Sequence, residues 1–392
     1  MAYRWGYPIS AGMLALSVML MGACSMAGER AQESAGFAAE ESGMVNALSE
    51  ENGVRSSLPE RLQLELDKLG NPTDDMSAWL QAFAAEDNPG EFPVNVIRTD
   101  LNGDGVADEW VSVFYENVKA QNGLETHRAY GVVVAYKDGK FDLQSFPFSE
   151  EYYGRAEVFA VEDLTNDGKP EIVWTARSVG AHTVMSVFTA SSWTEGKLEP
   201  IEGNAPIADL SAAEVRDGRL MVTGGLIDSV GAGPWQREYT ATYSVTDHAL
   251  KLEDRVYAES LTPYHRLIDG LWAEALGHPE RALKNYAAAA SMPTVSYRDY
   301  AFTFDSEWVE GGSNVDREAE FERVVKQFAR LRQDLLKETA KGESPPNACA
   351  AVRKKGGYDS SWLPLLNAPA GYANPFWTDD NLCGLISEIS DY

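Results

Sequence analysis

The chain has 392 residues, of which 44% are hydrophobic and 10% aromatic, a composition typical of globular proteins and not of disordered ones. This length allows two or three domains with apolar cores. Acidic residues outnumber basic ones by 60 to 33, and the net charge is −27. Such an excess argues against nucleic acid as a partner, because the phosphates would be repelled, and it also disfavours anionic membrane surfaces.

The first 23 residues have the pattern of an export signal peptide. One charge, Arg4, precedes an apolar run from Ala11 to Met21, which is too short for a comfortable transmembrane helix. The following Met21-Gly22-Ala23-Cys24 resembles the lipobox of bacterial lipoproteins. That resemblance implies cleavage before Cys24, lipidation of its sulfur, and a membrane-anchored, extracytoplasmic protein of the cell envelope. The alternative is an ordinary secretory signal with an incidental cysteine.

The residues after Cys24 predict which membrane carries the protein and that a flexible tether follows the anchor. Ser25, and not Asp, follows Cys24, so the resemblance favours the outer membrane if the organism has one. Residues 24–57 are rich in Ala, Glu, Ser and Gly and lack a lasting apolar periodicity, which is typical of a flexible tether. As a random coil this tether would span on the order of 30 Å.

Residues 58–90 predict a short helical segment. The first helix opens near Leu58 and has leucines on one face before Gly70-Asn71-Pro72 ends it: Leu62, Leu66 and Leu69. Asp74 or Asp75 is positioned to cap a second helix that contains Trp79, Leu80 and Phe83. These apolar faces require a partner, and the strands that follow are the simplest one.

Two later loops carry oxygen side chains at the spacing of calcium ligands, positions 1, 3, 5 and 9. The first loop has Asp100, Asn102, Asp104 and Asp108, and the second has Asp163, Thr165, Asp167 and Glu171. Glycine at position 6 permits the sharp turn, and the backbone carbonyls of Val106 and Lys169 supply position 7. Calcium prefers six to eight oxygen ligands, so we predict two Ca²⁺ sites. The alternative is a pair of Asp- and Gly-rich turns without metal.

The two loops differ from EF-hands, because position 12 is Val111 in the first and Trp174 in the second instead of a bidentate carboxylate. Strand-like residues flank both loops, and this arrangement resembles the FG-GAP and VCBS repeats of extracellular β-propeller proteins. The resemblance implies calcium on a loop between adjacent strands, held by the ten residues named above. Thr165 is the weakest of these ligands, because a hydroxyl is a poorer calcium ligand than a carboxylate or an amide oxygen.

Residues 91–258 alternate with period two, which predicts an antiparallel β-domain. Each calcium loop begins a unit of about 60 residues with some four strands, and Asp138-Gly139 and Glu195-Gly196 signal hairpin turns. A third unit follows without the acidic series. Three units cannot close a propeller, which typically has four to eight blades. We therefore expect an α+β protein whose β-domain is sandwich-like or an incomplete propeller, followed by a helical domain.

Residues 259–392 are predicted to be that helical domain. Small and aromatic residues fall at positions that resemble a tetratricopeptide repeat: Gly270, Gly277, Ala282, Leu283, Tyr286 and Ala289. A plain helical hairpin is the alternative. A longer helix is predicted over residues 316–337 from its apolar stripe. Cys349 and Cys383 remain after lipidation of Cys24, and an exported protein meets an oxidising compartment, so we predict that they form a disulfide.

Two other groups of residues allow both a functional and a structural interpretation. His182 lies among small residues, and a hydrogen-bonded structural histidine is favoured over a catalytic one. Trp193, Trp235 and Tyr239 are candidates for a sugar-stacking platform, although aromatic residues in strands usually pack as core.

Three functions are compatible with these features, and one of them is a helical part that binds a peptide in a groove within an assembly; the other two follow. The first is a lipid-anchored, calcium-binding envelope protein, not an enzyme, that presents its modules for contact with a protein or a glycan. The second is an extracellular hydrolase of envelope or extracellular polymers that calcium stabilises. The sequence contains no Gly-x-Ser-x-Gly, no His-Glu-x-x-His, no phosphate loop and no dinucleotide fingerprint. We therefore favour the scaffold and assign no catalytic residue.

Overall fold

The computed structural model describes residues 56–86, 92–119, 125–148, 155–180, 183–227, 236–300, 302, 314–369 and 374–388. The signal peptide, Cys24 and almost all of the tether lie outside the described residues, as do His182 and Trp235. Residues 58–392 belong to one unit by their contacts. Within the described residues, no helix combines the length and the apolar character needed to cross a membrane.

The elements follow the predicted order of two helices, a run of strands and a helical region. The helices are α1 (Leu58–Leu69), α2 (Met76–Ala85), α3 (Pro263–Ala275), α4 (Pro279–Ser291), α5 (Asn314–Thr339), α6 (Pro345–Lys355) and α7 (Trp362–Leu366), with 3₁₀ turns at Tyr297–Tyr300 and Ile386–Glu388. The strands are β1 (Ile97–Thr99), β2 (Glu109–Lys119), β3 (Glu125–Lys137), β4 (Lys140–Pro147), β5 (Ala156–Glu162), β6 (Glu171–Val179), β7 (Val184–Thr194), β8 (Lys197–Ala208), β9 (Ala212–Arg216), β10 (Arg219–Gly224), β11 (Tyr239–Thr246) and β12 (Ala249–Tyr257). The predicted α+β class is therefore found.

The strands form three successive antiparallel meanders of four strands each. Meander 1 is β1–β4, meander 2 is β5–β8, and meander 3 is β9–β12. Meander 1 is a separate sheet, whereas meanders 2 and 3 join edge to edge through one parallel pair, Glu202 with Ala249. The estimate of some four strands per unit holds for all three.

Left-handed two-residue turns close the hairpins. Asp138 and Gly139 have φ values of 54° and 76°, and Glu195 and Gly196 have 52° and 80°. Positive φ at both central residues matches the right-handed twist of the flanking strands, and Gly, Asn and Asp accept it most readily. Both predicted hairpin turns are confirmed, and Asp217-Gly218 forms a third of the same kind in meander 3, between β9 and β10.

Meanders 1 and 2 pack against each other, whereas meanders 2 and 3 belong to one sheet and share a common core. Apolar residues of meanders 1 and 2 share one cluster, for example Tyr115 with Trp174. Residues of meanders 2 and 3 share another, for example Phe188 with Tyr243. Strand β2 is consequently buried without interruption from residue 109 to 116.

Helices cover both outer ends of this stack. The leucine face of α1 and residues of α2 pack on the outer face of meander 1. Helix α1 ends before Gly70, whose φ is 72°, and Asp75 caps α2 by accepting the Ala78 N–H at 2.9 Å. At the other end, Leu252 and Tyr257 of β12 pack against the helical core.

The helical part is built on the α3–α4 hairpin and the long helix α5. Gly270 lies directly against the ring of Tyr286, since a Cβ on Gly270 would be 2.5 Å from a ring carbon. Buried residues of α5 complete the core, among them Phe321 and Phe328. The helix extends the predicted 316–337 by two residues at each end. The sulfur atoms of Cys349 and Cys383 lie 2.06 Å apart, at disulfide distance as the sequence predicts.

Candidate calcium loops

In the first loop, the carboxylate of Asp100 accepts hydrogen bonds from three backbone N–H groups. Its Oδ1 accepts the N–H groups of Gly103 at 2.8 Å and Asp104 at 3.2 Å, and its Oδ2 accepts that of Gly105 at 2.7 Å. Gly105 has a φ of 87°, which fits its place in the sharp turn. The Oδ1 of Asp104 in turn accepts the Val106 N–H at 2.8 Å. Positions 1 and 5 of the predicted site therefore hold the loop closed.

The second loop repeats this hydrogen-bonding frame. Asp163 accepts the N–H groups of Asp167 at 3.2 Å and Gly168 at 2.9 Å. Asp167 accepts the N–H of Lys169 at 2.8 Å, as Asp104 does from Val106 in the first loop. The two predicted sites thus have the same local geometry at positions 1, 5, 6 and 7.

A buried glutamate supports each loop from the strand behind it. Glu109 accepts the Leu101 N–H at 2.9 Å and the Asn102 side-chain amide at 3.0 Å. Glu171 accepts the Leu164 N–H at 2.7 Å and the Thr165 hydroxyl at 3.3 Å. In both loops the leucine at position 2 is buried, which anchors the loop in the apolar core.

Strand pairing shows that Glu109, and not Asp108, is the counterpart of Glu171. Thr99 pairs with Glu109 across β1 and β2, and Glu162 pairs with Glu171 across β5 and β6. The first loop is therefore one residue longer than the second. Counting positions along the sequence had matched Asp108 with Glu171, and it missed Glu109. The side-chain alternation after the loop, which puts Glu109 on the same strand face as Val111 and Val113, is the signal that could have found it.

Negative charge is concentrated in the first loop. Burial, followed by the charges of Asp104 and Asp100, raises the pKa of Asp108 above its ordinary value. Burial also raises the pKa of Glu109, and the charges of Asp108 and Asp100 contribute. In the second loop, burial raises the pKa of Glu171, with a smaller contribution from Asp167. A bound cation would relieve this repulsion.

The two loops lie beside each other, and a turn of meander 3 continues the row. A Cβ placed on Gly103 would lie 3.4 Å from Cγ of Lys169, so the lysine side chain passes over the first loop. A Cβ on Gly218 would lie 2.6 Å from the side-chain amide of Asn166. The first loop, the second loop and the Asp217-Gly218 turn therefore lie next to one another in that order.

The loop residues offer oxygen atoms, which are the ligands that a hard cation such as Ca²⁺ prefers. Their carboxylates alone do not surround a common point. Across the part of the chain that the structure describes, no three His, Cys, Asp or Glu side chains are grouped closely enough to hold a metal ion. Positions 3 and 7 would contribute an amide, a hydroxyl and backbone carbonyls, which lie outside that set. A carboxylate oxygen has two lone pairs, so one that accepts an N–H can also bind a cation.

The remaining candidate residues do not join these loops. Trp193 is buried between meanders 1 and 2, whereas Tyr239 packs with the core between meanders 2 and 3. These two described members of the aromatic trio therefore belong to different layers and share no sugar-stacking platform. Trp193 is core, as the structural alternative predicted.

Comparison with protein-family models, with curated proteins and with solved structures gave no match to this chain. The resemblances to FG-GAP, VCBS and tetratricopeptide repeats therefore stay predictions that depend on the residues alone.

Proposed function

We propose that the chain is a lipid-anchored, calcium-binding protein of the cell envelope, outside the cytoplasm, that acts as a scaffold for contact with a protein or a glycan. The observation that carries this proposal is the repeated frame of the two loops, in which Asp100 and Asp163 accept N–H groups in the same way. Two loops 63 residues apart that share the oxygen spacing of positions 1, 3 and 5 and one hydrogen-bond pattern favour a shared ligand. The ligands we propose are the ten loop residues of the sequence analysis.

Bound calcium would stabilise the native packing of the meanders. Each loop connects the first two strands of its meander, and its position 2 leucine is buried in the core. An ion that binds only the native state stabilises it by RT ln(1 + [L]/Kd). For a Kd of about 0.1 mM and about 1 mM calcium, this is about 1.4 kcal/mol per site.

We further propose that the three meanders are successive repeat units of FG-GAP or VCBS type and that α3–α4 is a tetratricopeptide-like hairpin. Helices on both outer faces support the first idea, because an open set of blades must cover its two ends. The close contact of Gly270 with Tyr286 supports the second, because small residues let antiparallel helices approach.

The test of calcium binding is a thermal melt of residues 58–392, oxidised, in excess EDTA and in millimolar calcium. Asp104→Ala and Asp167→Ala remove position 5 of each loop. The matched control is Asp217→Asn, which lies in the third turn of the row and keeps a residue that tolerates its φ of 52°. We expect calcium to raise the midpoint of the parent and the control, and each loop variant to lose part of that rise. An equal midpoint with and without calcium in the parent would reduce the loops to metal-free turns.

The test of anchoring compares the full-length chain with Cys24→Ser in a bacterial host fed labelled palmitate. We expect label and membrane association in the parent and neither in the variant. Equal labelling of both proteins would contradict lipidation at Cys24.

The hydrolase that the sequence also allows is distinguished by incubating residues 58–392 with dye-labelled envelope polymers in calcium. The scaffold predicts retention of the protein on a polymer or a partner without release of soluble dye. Sustained dye release above that of a heat-denatured sample would overturn the scaffold in favour of the enzyme.

A further inference from the structure

A cavity of about 430 Å³ lies between helix α3 and the sheet that meanders 2 and 3 form together. Its sheet wall includes Leu252 and Tyr257, its helix wall includes Ile268 and Trp272, and the 3₁₀ turn at Ile386–Glu388 borders it. This volume is in the range of sites that hold small organic molecules. The walls are mainly apolar, with two arginines as the cationic groups among the lining residues.

The first arginine, Arg237, is already neutralised by the protein. Its guanidinium lies 2.5 Å from the Asp269 carboxylate, and it also donates to Ala258 O, Ser260 Oγ and His265 O. It stacks on the ring of Tyr257 at 4.7 Å from the centroid. This set of contacts describes a structural arginine that ties meander 3 to α3.

The second arginine, Arg255, has no such carboxylate within the described residues. Its guanidinium is held between two rings, 3.7 Å from the centroid of Trp272 and 4.4 Å from that of Tyr239. Its hydrogen-bonding partner is the hydroxyl of Tyr257. Its Nε, like that of Arg237, is shielded from water and makes no hydrogen bond to a described residue, but Arg255 lacks the carboxylate that neutralises Arg237. A desolvated donor without an acceptor is costly, so its retention needs a reason.

The cavity gives a ligand access to Arg255. Two aromatic rings lie against its guanidinium and the Tyr257 hydroxyl occupies part of its edge, so a ligand in the cavity would meet the remaining N–H groups of that edge. An edge-on guanidinium matches a carboxylate, which can accept two parallel hydrogen bonds. The apolar walls then favour a ligand with an aliphatic or aromatic body, and they strengthen the charge interaction by excluding water.

We propose that this cavity is a binding site for a small organic carboxylate with an apolar body, in which Arg255 receives the carboxylate and Trp272 flanks it. The site is independent of the calcium loops and of the proposed scaffold function. Aliphatic and aromatic acids share this chemistry, and the experiment separates them.

The experiment uses the fluorescent sulfonate 1,8-ANS as the probe on residues 58–392, which form one unit. Octanoate and phenylacetate then compete with ANS, and octanamide and phenylacetamide serve as their neutral isosteres. We expect saturable ANS binding and at least one acid that displaces it at a concentration about tenfold lower than its amide. The acid that does so identifies the aliphatic or the aromatic class.

Arg255→Gln tests the residue, and Arg216→Gln is the matched control, because Arg216 is an exposed arginine of the same meander paired with Glu214. We expect Arg255→Gln to abolish the preference for the acid over the amide, and the control to keep it. Equal displacement by acids and amides in the parent, or an unchanged preference in Arg255→Gln, would overturn the proposal. So would the absence of saturable ANS binding.

A second variant decides the question if Arg255→Gln does not fold. Ser387 is exposed and borders the cavity, so Ser387→Trp fills the entrance without disturbing the core. Circular dichroism checks that it folds. We expect ANS affinity to fall at least tenfold in Ser387→Trp, whereas unchanged affinity would place the ANS site elsewhere and contradict the proposal.

Discussion

Arg332 and Glu274 form a buried ion pair inside the helical part. The Nη2 of Arg332 lies 2.6 Å from Oε1 of Glu274, and the arginine side chain has no exposed surface. Glu274 also accepts the Tyr286 hydroxyl at 2.5 Å, and Arg332 donates to the carbonyls of Leu382 and Gly384. One network therefore connects α3, α4, α5 and the carboxy-terminal segment.

Arg332→Met should destabilise the protein by about 3–5 kcal/mol, because it leaves the carboxylate of Glu274 buried without its partner. Urea unfolding measures the loss. Arg330→Met on the same helix is the control, since Arg330 is exposed, and we expect a change within about 0.5 kcal/mol. In a double-mutant cycle, we expect the variant that carries both Arg332→Met and Glu274→Gln to lose less stability than the two single variants do in sum. The expected difference is about 1–3 kcal/mol. Strictly additive losses would contradict the network.

The disulfide between Cys349 and Cys383 closes a loop with a sequence separation of 34 residues. The chain-entropy relation gives about 4 kcal/mol for a loop of this size. We therefore expect the Cys349→Ser, Cys383→Ser double variant to lose a similar amount in urea unfolding under oxidising conditions. The parent treated with a reductant should match the double variant. A parent whose stability is insensitive to the reductant would show that the bond contributes little.

The two candidate calcium loops differ at position 3, where the first has Asn102 and the second Thr165. Both side chains donate to the supporting glutamate, so the exchange Thr165→Asn preserves that contact. With the first loop disabled by Asp104→Ala, Thr165→Asn should tighten calcium binding about tenfold, because an amide oxygen is a better calcium ligand than a hydroxyl. Isothermal titration calorimetry measures the constants.

The reciprocal exchange provides the control for that prediction. With the second loop disabled by Asp167→Ala, Asn102→Thr should weaken calcium binding by a similar factor. If both exchanges shift affinity in the same direction, the side chain at position 3 does not act as a ligand.

The ion pair of Arg281 with Asp254 joins α4 to β12, with Nη1 to Oδ2 at 2.9 Å. Burial raises the pKa of Asp254, but the hydrogen bonds and charge of Arg281 outweigh it and lower the pKa below the ordinary 3.8. A lowered carboxyl pKa contributes stability that is present above 3.8 and is lost as the pH falls through the lower, folded-state pKa. Arg281→Gln should therefore cost about 1 kcal/mol at pH 7, and the difference from the parent should shrink below pH 3.8.

Urea unfolding in EDTA over this pH range checks the prediction without interference from calcium. Lys284→Gln, an exposed change on the same helix, should show no such pH-dependent difference. A cost for Arg281→Gln that is the same at low and neutral pH would mean that packing, and not charge, is responsible.

Local sequence chemistry determined much of this protein. The leucine face of α1, the Asp-Gly and Glu-Gly hairpin turns, the oxygen spacing of the loops and the α+β order all follow from contacts within a few residues. Such features depend on backbone preferences and side-chain periodicity, which are properties of short segments. The pairing of Cys349 with Cys383 followed from the prediction that Cys24 is lipidated, which leaves two cysteines in the sequence.

Only the tertiary structure decided the rest, because it depends on residues far apart in the chain. Strand register, set by pairing across the ladder, made Glu109 the counterpart of Glu171, whereas counting along the loop had chosen Asp108. The contact of meander 1 with meander 2, the common core of meanders 2 and 3, and the helices on both ends follow from the need to bury apolar faces that no single meander covers. The position of Arg255 between Tyr239 and Trp272 brings a strand and a helix together, and no local pattern contains that contact.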